Sequence, residues 1–164
     1  MSCQECVPHV GWVERSDTHQ HRPEMTNYRR NLASGGTYFF SVNLADRSQT
    51  LLTDNVDSLR NAFRHVAERH PFAIDAIVVL ADHLHAIWTL PENDCDYSTR
   101  WRLIKTRFSR AIQAGELVSP SRARKGERGI GHRRYWEHTI GDELDYQRHV
   151  DYIHFNPVKH GYVA

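Results

Sequence analysis

The sequence is poor in cysteine and has no long apolar run. Its three cysteines, Cys3, Cys6 and Cys95, are an odd number, which argues against a disulfide framework. Cys3 and Cys6 have the spacing of half a zinc site, but no second pair follows. No apolar stretch approaches membrane-spanning length, and the first 25 residues lack the apolar core of a signal peptide. These absences predict a cytoplasmic protein without a structural zinc site.

Positive charge is concentrated in one part of the chain. The whole chain of 164 residues has a net charge of only +1. Residues 100–134, however, contain eleven Lys or Arg and two acids, Glu116 and Glu127, and eleven minus two gives a local charge of +9. Such segregation indicates a surface for a polyanion. The alternative is an ordinary solvated loop and helix face.

The chain divides into a short extension and one domain. Residues 1–24 show neither helical nor strand periodicity, which predicts a disordered extension. Met25 opens a segment that is typical of a domain start, and a domain over 25–164 is long enough for one hydrophobic core. Met25 therefore marks the expected start of the domain.

Strand and helix patterns alternate along the domain. Strands are predicted at 37–44, 72–80, 84–90 and 133–140, and helices at 56–70, after a cap at Ser98 or Thr99, and from 141 to a stop at Pro157. The order β-α-β-β-α-β-α predicts an α+β protein. The expected architecture is a ferredoxin-like split βαβ core with an antiparallel sheet covered on one face and an added C-terminal helix.

Two histidines interrupt an apolar strand in the stretch "VVLADHLHAIWTLP". With 12 histidines in the chain, chance alone predicts roughly 0.9 His-x-His pairs, so the motif is weak by itself. On a strand, however, His83 and His85 point to the same face and can reach one metal ion or phosphate, while Leu84 points into the core. The pair is either half of such a site or two surface histidines.

The last predicted helix has a second polar face. Tyr146, Val150 and Ile153 cluster and are expected to pack on the sheet. A quarter turn away lie Asp145, His149, Tyr152 and Asn156. Tyr152 and Asn156 place a phenol and an amide side by side. Alternatively they close the core edge and end the helix.

Several ordered motifs together resemble a known family. "HLH" and "HVDYIHFNPVKHGYV" resemble the His-hydrophobe-His motif and the catalytic helix of single-tyrosine HUH endonucleases and transposases. The segments "YRRNLASGGTYFFSVNL", "VVLADHLHAIWTLPENDCDYSTRW" and "RRYWEHTI" also resemble the REP-associated tyrosine transposases of that superfamily. The resemblance runs from about Tyr28 to Val163.

The resemblance implies a set of site residues. Tyr152 matches the nucleophilic tyrosine, which forms a 5′-phosphotyrosine intermediate, and His83 and His85 match the metal-binding pair. Asn156 stands where related enzymes have an amide ligand, and His149 and Glu137 are predicted to support the site. The implied cofactor is Mg²⁺ or Mn²⁺.

The implied partner is single-stranded or hairpin DNA from palindromic repeats. The predicted backbone contacts are basic residues, namely Arg29, Arg30, Arg100, Arg102, Lys105, Arg107, Arg110, Arg133 and Arg134. Tyr135 and Trp136 are candidates for stacking on unpaired bases, whereas Trp101 lies on the core face of its helix. The protein is expected to be a monomer or a homodimer.

Two departures from the family leave other functions open. Family members are expected to carry a further tail beyond the "HGYV" match. The stretch "VGWVERSDTH" resembles peptides that appear when the palindromic repeats themselves are translated, so Met25 is the expected natural start. The leading hypothesis is a metal-dependent strand transferase or nickase. The alternatives are a domesticated or decayed hairpin-binding protein without transposition activity, and a metal hydrolase in which Tyr152 is structural.

Overall fold

A computed structural model describes residues 32–116 and 118–163. The extension 1–24, Met25, Arg29 and Arg30 lie outside these residues. In chain order the elements are β1 (Thr37–Asn43), α1 (Leu51–Asp54), α2 (Val56–Arg69), β2 (Ala73–Val79), β3 (His83–Thr89), α3 (Tyr97–Ala111), α4 (Pro120–Ala123), β4 (Trp136–Thr139) and α5 (Glu143–Lys159).

The four strands form one antiparallel sheet in the order β2-β3-β1-β4. Strand β3 therefore lies between β1 and β2, so the β1-α2-β2 unit is split by a strand that comes later in the chain. This is the ferredoxin-like order, and the predicted α+β class is confirmed. The short helices α1 and α4 were not predicted.

Residues alternate between the two faces of the sheet. One face, with Tyr38, Phe40, Leu84 and Trp88, packs against α2 and α3 in the main core. The other face forms a smaller core in which Phe39 and Ile87 pack with Ile153, Tyr146 and Val150 of α5. The sheet is thus covered on both faces. The prediction of a single covered face was wrong because the added helix lies across the second one.

The ends of two helices differ from the prediction. The cap of α3 is Asp96, whose side chain accepts a hydrogen bond from the backbone N–H of Thr99 at 2.9 Å, rather than Ser98 or Thr99. Helix α5 does not stop at Pro157 but continues to Lys159. Proline removes one N–H near the last turn, where helical φ is still allowed, so the remaining turn can form. As a result, α5 carries His160 at its C-terminal cap.

No helix in the two described segments is long and apolar enough to cross a membrane.

Candidate active site

His83 and His85 share one face of β3. Their ring centroids are 5.1 Å apart, and both residues are 5% exposed. Leu84 between them is 2% exposed and belongs to the main core on the opposite face. The geometric prediction for this pair is confirmed. The histidines lie on the face that α5 covers.

Each imidazole is held by a hydrogen bond at Nδ1. The Nδ1 atom of His83 lies 2.7 Å from Oδ1 of Asp82, and that of His85 lies 2.6 Å from Oγ of Ser41. Ser41 is the residue opposite His85 in the ladder between β1 and β3. Because a carboxylate only accepts hydrogen bonds, His83 donates from Nδ1, and Nε2 is the nitrogen that can bind a metal. The same tautomer of His85, donating to Ser41, leaves its Nε2 free to bind a metal.

The environment keeps these groups in the charge states that a metal site requires. Burial, with the nearby His83, His160 and Lys159, lowers the pKa of His85 to about 3, so its imidazole is neutral at neutral pH. Burial acts to raise the pKa of Asp82, but hydrogen bonds from His83 and Arg47 outweigh it and hold that pKa below its usual value. The imidazole of His85 is therefore neutral, and the carboxylate of Asp82 is ionised.

Helix α5 places three polar residues opposite the histidines, one turn apart. The ring centroid of Tyr152 lies 5.1 Å from that of His85, and the ring centroid of His160 lies 5.1 Å from that of His83. Asn156 lies between them on the same face of the helix, since the three positions are spaced by four residues. The pairing of Tyr152 and Asn156 with the histidine pair agrees with the sequence prediction.

The side chain of Asn156 is only 1% exposed, and neither its Oδ1 nor its Nδ2 has a hydrogen-bond partner among the described residues. An unsatisfied buried polar group costs about 1–3 kcal/mol, so such a group usually has a function. An amide oxygen and two imidazole nitrogens are suitable ligands for a divalent ion. His83, His85 and Asn156 therefore fit the metal that the family resemblance implies.

A second cluster joins β4 to the start of α5. His138, Asp145 and His149 bring potential ligand atoms within 4.8 Å of one another, the one such group of His, Cys, Asp and Glu in the described chain. Asp145 accepts from His138 Nε2 at 2.8 Å and from Gly141 N–H at 2.9 Å. His149 Nδ1 lies 2.8 Å from the Asp145 carbonyl oxygen, which can only accept, so this nitrogen carries a hydrogen. A metal ion could bind to this cluster only by replacing these hydrogen bonds.

The two predicted supporting residues, His149 and Glu137, lie on opposite sides of the sheet. His149 is buried and its ring centroid lies 4.6 Å from that of Phe39, which in turn lies 5.9 Å from that of Tyr152. Glu137 lies on the opposite face of the sheet, where the hydroxyl of Tyr97 donates to it at 3.4 Å. This differs from the prediction, because strand alternation separates Glu137 from the Tyr152 side. Glu137 instead contacts Tyr97 of the main core.

Some of the basic residues that were predicted to bind DNA form contacts within the protein. Arg100 is 3% exposed, forms an ion pair with Asp94 at 2.6 Å, and donates to the carbonyls of His70 and Pro71. Its predicted role in DNA binding was wrong because its guanidinium group is buried. Arg133 lies at the surface but pairs with Glu127 at 2.6 Å.

The remaining predicted basic residues of this segment lie at or near the surface. Those that are exposed are Arg102, Arg107, Arg110 and Arg134, and Lys105 is half-buried with its Nζ 4.8 Å from the ring centroid of Tyr135. The loop after α4 is bound to the strand end near His83, since His132 N–H donates to Asn43 O at 3.0 Å. Trp136 is 50% exposed, Tyr135 packs against the main core, and Trp101 is buried within it as predicted.

Comparisons with known proteins identify the family. No protein-family model matches the chain. A REP-associated tyrosine transposase of Escherichia coli K12 is 48% identical over 139 residues, which cover 85% of this chain and 76% of the relative. A Haemophilus influenzae protein whose name assigns it to the same family is 44% identical over 140 residues, covering 85% and 80%. The chain belongs to the REP-associated tyrosine transposases.

A solved structure from this family supports the same conclusion. It is the structure of a REP-associated tyrosine transposase bound to a REP hairpin, and it is 47% identical to this chain. The match covers 85% of this chain and 76% of the other, with a TM-score of 0.73. The predicted family and its tyrosine transposase class are therefore confirmed.

Three residues of this candidate site were not found from the sequence. Ser41 could not be found because its contact with His85 depends on the strand register. Asp82 directly precedes His83, and this position beside the motif could have identified it from the sequence as a site residue. His160 follows Tyr152 by eight residues and could have been found if the helix had been extended through Pro157.

Proposed function

We propose that this chain cleaves and rejoins single strands of DNA with Tyr152 as the nucleophile. The observation that carries the proposal is the position of Tyr152, whose ring lies beside His85 and one helical turn from the buried amide of Asn156. A metal-ligand set next to a phenol is the arrangement that a phosphoryl transfer to tyrosine requires.

The reaction conserves the energy of the phosphodiester bond. The Oη atom of Tyr152 attacks the scissile phosphorus as the phenol loses its proton to solvent. A bond forms between Tyr152 and the 5′-phosphate, and the bond to the 3′-oxygen breaks and leaves a 3′-hydroxyl. Attack by a second 3′-hydroxyl reverses these steps, returns the phenol and gives strand transfer.

His83, His85 and Asn156 would hold the divalent ion. When bound there, Mg²⁺ or Mn²⁺ would polarise the scissile phosphate and offset the charge that develops on its oxygens. Imidazole ligands suit Mn²⁺ better, whereas Mg²⁺ prefers oxygen. Tyr152 is half-buried, and the aromatic ring of Phe39 lies beside it. Both features restrict the movement of the proposed nucleophile.

We further propose that the substrate is a DNA hairpin from a palindromic repeat and that the reaction takes place in the cytoplasm. The solved relative bound to a REP hairpin supports this substrate class. The exposed Arg102, Arg107, Arg110 and Arg134 would contact phosphates, together with Lys105 and Arg133 at the edge of that surface. Trp136, half exposed on the same face of the sheet as His138, would stack on an unpaired base.

A covalent-adduct assay tests the proposal. The protein is incubated with a labelled hairpin oligonucleotide that carries a single-stranded flank, with Mn²⁺ or Mg²⁺, and separated on a denaturing gel. A labelled protein band is expected with the unmodified chain and with Tyr162→Phe, an exposed tyrosine of the same C-terminal segment, but not with Tyr152→Phe. Tight binding with no adduct would mean a binding protein without chemistry. Cleavage that survives Tyr152→Phe would mean a metal hydrolase.

A further inference from the structure

Asp82 connects the metal-binding face to the protein surface. One carboxylate oxygen, Oδ1, lies 2.7 Å from Nδ1 of His83, and the other, Oδ2, lies 2.6 Å from Nε of Arg47. The carboxylate thus accepts from a buried imidazole on one side and from a guanidinium on the other. The side chain of Asp82 is 14% exposed, whereas that of Arg47 is 60% exposed.

The backbone fixes the same residue. The carbonyl oxygen of Asp82 accepts a hydrogen bond of 2.7 Å from the N–H of Leu44, directly after β1. Leu44 is 3% exposed and belongs to the main core. Both the main chain and the side chain of Asp82 are therefore held by the segment that follows β1. This leaves the carboxylate little freedom to turn away from His83.

We propose that Asp82 is a positioning residue that sets the orientation and metal affinity of His83, and that Arg47 acts on His83 through Asp82. The inference rests on the proposed function, because it presumes that His83 binds the divalent ion. The hydrogen bond to the carboxylate fixes the tautomer with Nε2 unprotonated and makes that nitrogen a stronger donor. Ser41 acts on His85 in the same way, but as a neutral partner it strengthens the donor less.

Metal affinity measured without DNA tests this role. Mn²⁺ and Mg²⁺ are titrated into the full-length protein by calorimetry, and bound Mn²⁺ is followed by electron paramagnetic resonance. Asp82→Asn keeps the size of the side chain but removes its charge, and it is expected to weaken Mn²⁺ binding by about 10–100-fold. Ser41→Ala is expected to weaken it less.

Asp75→Asn is the matched control. It removes the same charge from the same sheet, but Asp75 accepts from Thr89 at 2.7 Å and belongs to the edge strand β2. Its Mn²⁺ affinity is expected to equal that of the unmodified protein. Thermal unfolding without metal is recorded for each variant, so that a loss of fold is not mistaken for a loss of affinity.

A double-mutant cycle tests the link to Arg47. Arg47→Gln is expected to weaken Mn²⁺ binding less than Asp82→Asn, and to have no further effect when Asp82 is already Asn. Additive effects of the two changes would overturn the link.

His83→Ala tests the proposed metal site independently of the positioning role of Asp82. If this variant binds Mn²⁺ as well as the unmodified protein, the proposed metal site is wrong. If His83→Ala abolishes binding while Asp82→Asn, still folded, binds normally, the site stands and the positioning role of Asp82 is overturned.

Discussion

The ring of Tyr152 lies 5.1 Å from the ring of His85, centroid to centroid, with the two planes at 76°. Both residues belong to one chain, because α5 folds back across its own sheet and packs Ile153 against Phe39 and Ile87. The proposed nucleophile and the proposed metal-binding pair therefore lie together within a single copy. We therefore propose that each copy uses its own tyrosine, whether the protein is a monomer or a homodimer.

Mixing two inactive variants is expected to restore no activity. Tyr152→Phe lacks the nucleophile and His85→Ala lacks a metal ligand, so neither chain contains a complete site. Equal amounts are unfolded together, refolded and tested for the covalent hairpin adduct, with refolded unmodified protein as the control. Recovery of adduct would show that α5 is exchanged between copies in a homodimer.

Metal content is expected to depend on His85 and not on His138. His85→Ala removes an imidazole of the proposed metal site, whereas His138 Nε2 and His149 Nδ1 both form hydrogen bonds to Asp145. Dialysis against Mn²⁺ followed by elemental analysis should give one ion per chain for the unmodified protein and for His138→Ala, and none for His85→Ala. Two ions per chain, falling to one in His138→Ala, would identify the second cluster as a metal site.

His138→Ala is instead expected to lower the melting temperature. The change leaves Asp145 with one fewer donor at the junction between β4 and α5, which costs about 1–2 kcal/mol.

Arg100 and Arg107 are expected to affect different properties. Arg100→Gln breaks a buried ion pair with Asp94 and should lower the free energy of unfolding by about 3 kcal/mol. Arg107 is exposed on α3, so Arg107→Gln should leave stability unchanged. Its effect should appear in hairpin binding, as a lower affinity and a salt dependence reduced by about one phosphate contact. Denaturant unfolding and fluorescence anisotropy at several salt concentrations measure the two properties.

The ion pair between Glu116 and Arg128 predicts a loss of stability in acid. Arg128 donates to both carboxylate oxygens, at 2.6 and 2.7 Å, and lowers the pKa of Glu116 to about 2. Because this folded-state pKa lies below the unfolded value of about 4.3, the pair stabilises the fold above that pH and the contribution disappears as pH falls towards 2.

Glu116→Gln measures the contribution directly. At pH 7 the variant is expected to lose about 2 kcal/mol of unfolding free energy, after allowance for solvent screening. The difference should shrink steadily as the pH is lowered from 4.5 to 2. The exposed Glu92, replaced by Gln, serves as the control and should show no such trend. A difference that stayed constant with pH would mean that the carboxylate charge is not responsible.

Local patterns in the sequence were sufficient for the strands and for the histidine pair. The alternation of His83, Leu84 and His85 depends only on strand geometry, and the apolar spacing in α2 and α3 depends only on the helical period. Tyr152 was found through the same period together with the family motif. These features are local, so no knowledge of the tertiary structure was required.

Features that depend on tertiary contacts were not predicted correctly. The basic segment appears uniform in the sequence, but Arg100 is buried because Asp94 and three backbone carbonyls surround it. Glu137 follows the exposed Trp136 by one residue, so only the position of β4 in the sheet decides which face it occupies. The contact of Ser41 with His85 likewise depends on pairing across 44 residues.

The alternation along β3 also has a consequence for how gene copies of this family can diverge. The residues proposed for chemistry and the residues that hold the main core occupy opposite sides of the same strand, as His85 and Leu84 illustrate. A copy that loses Tyr152 or His85 therefore keeps the packing that folds it and the basic surface outside the site. With the proposed function, a single substitution is expected to remove catalysis and to leave a folded protein, with its basic surface, on which selection can still act.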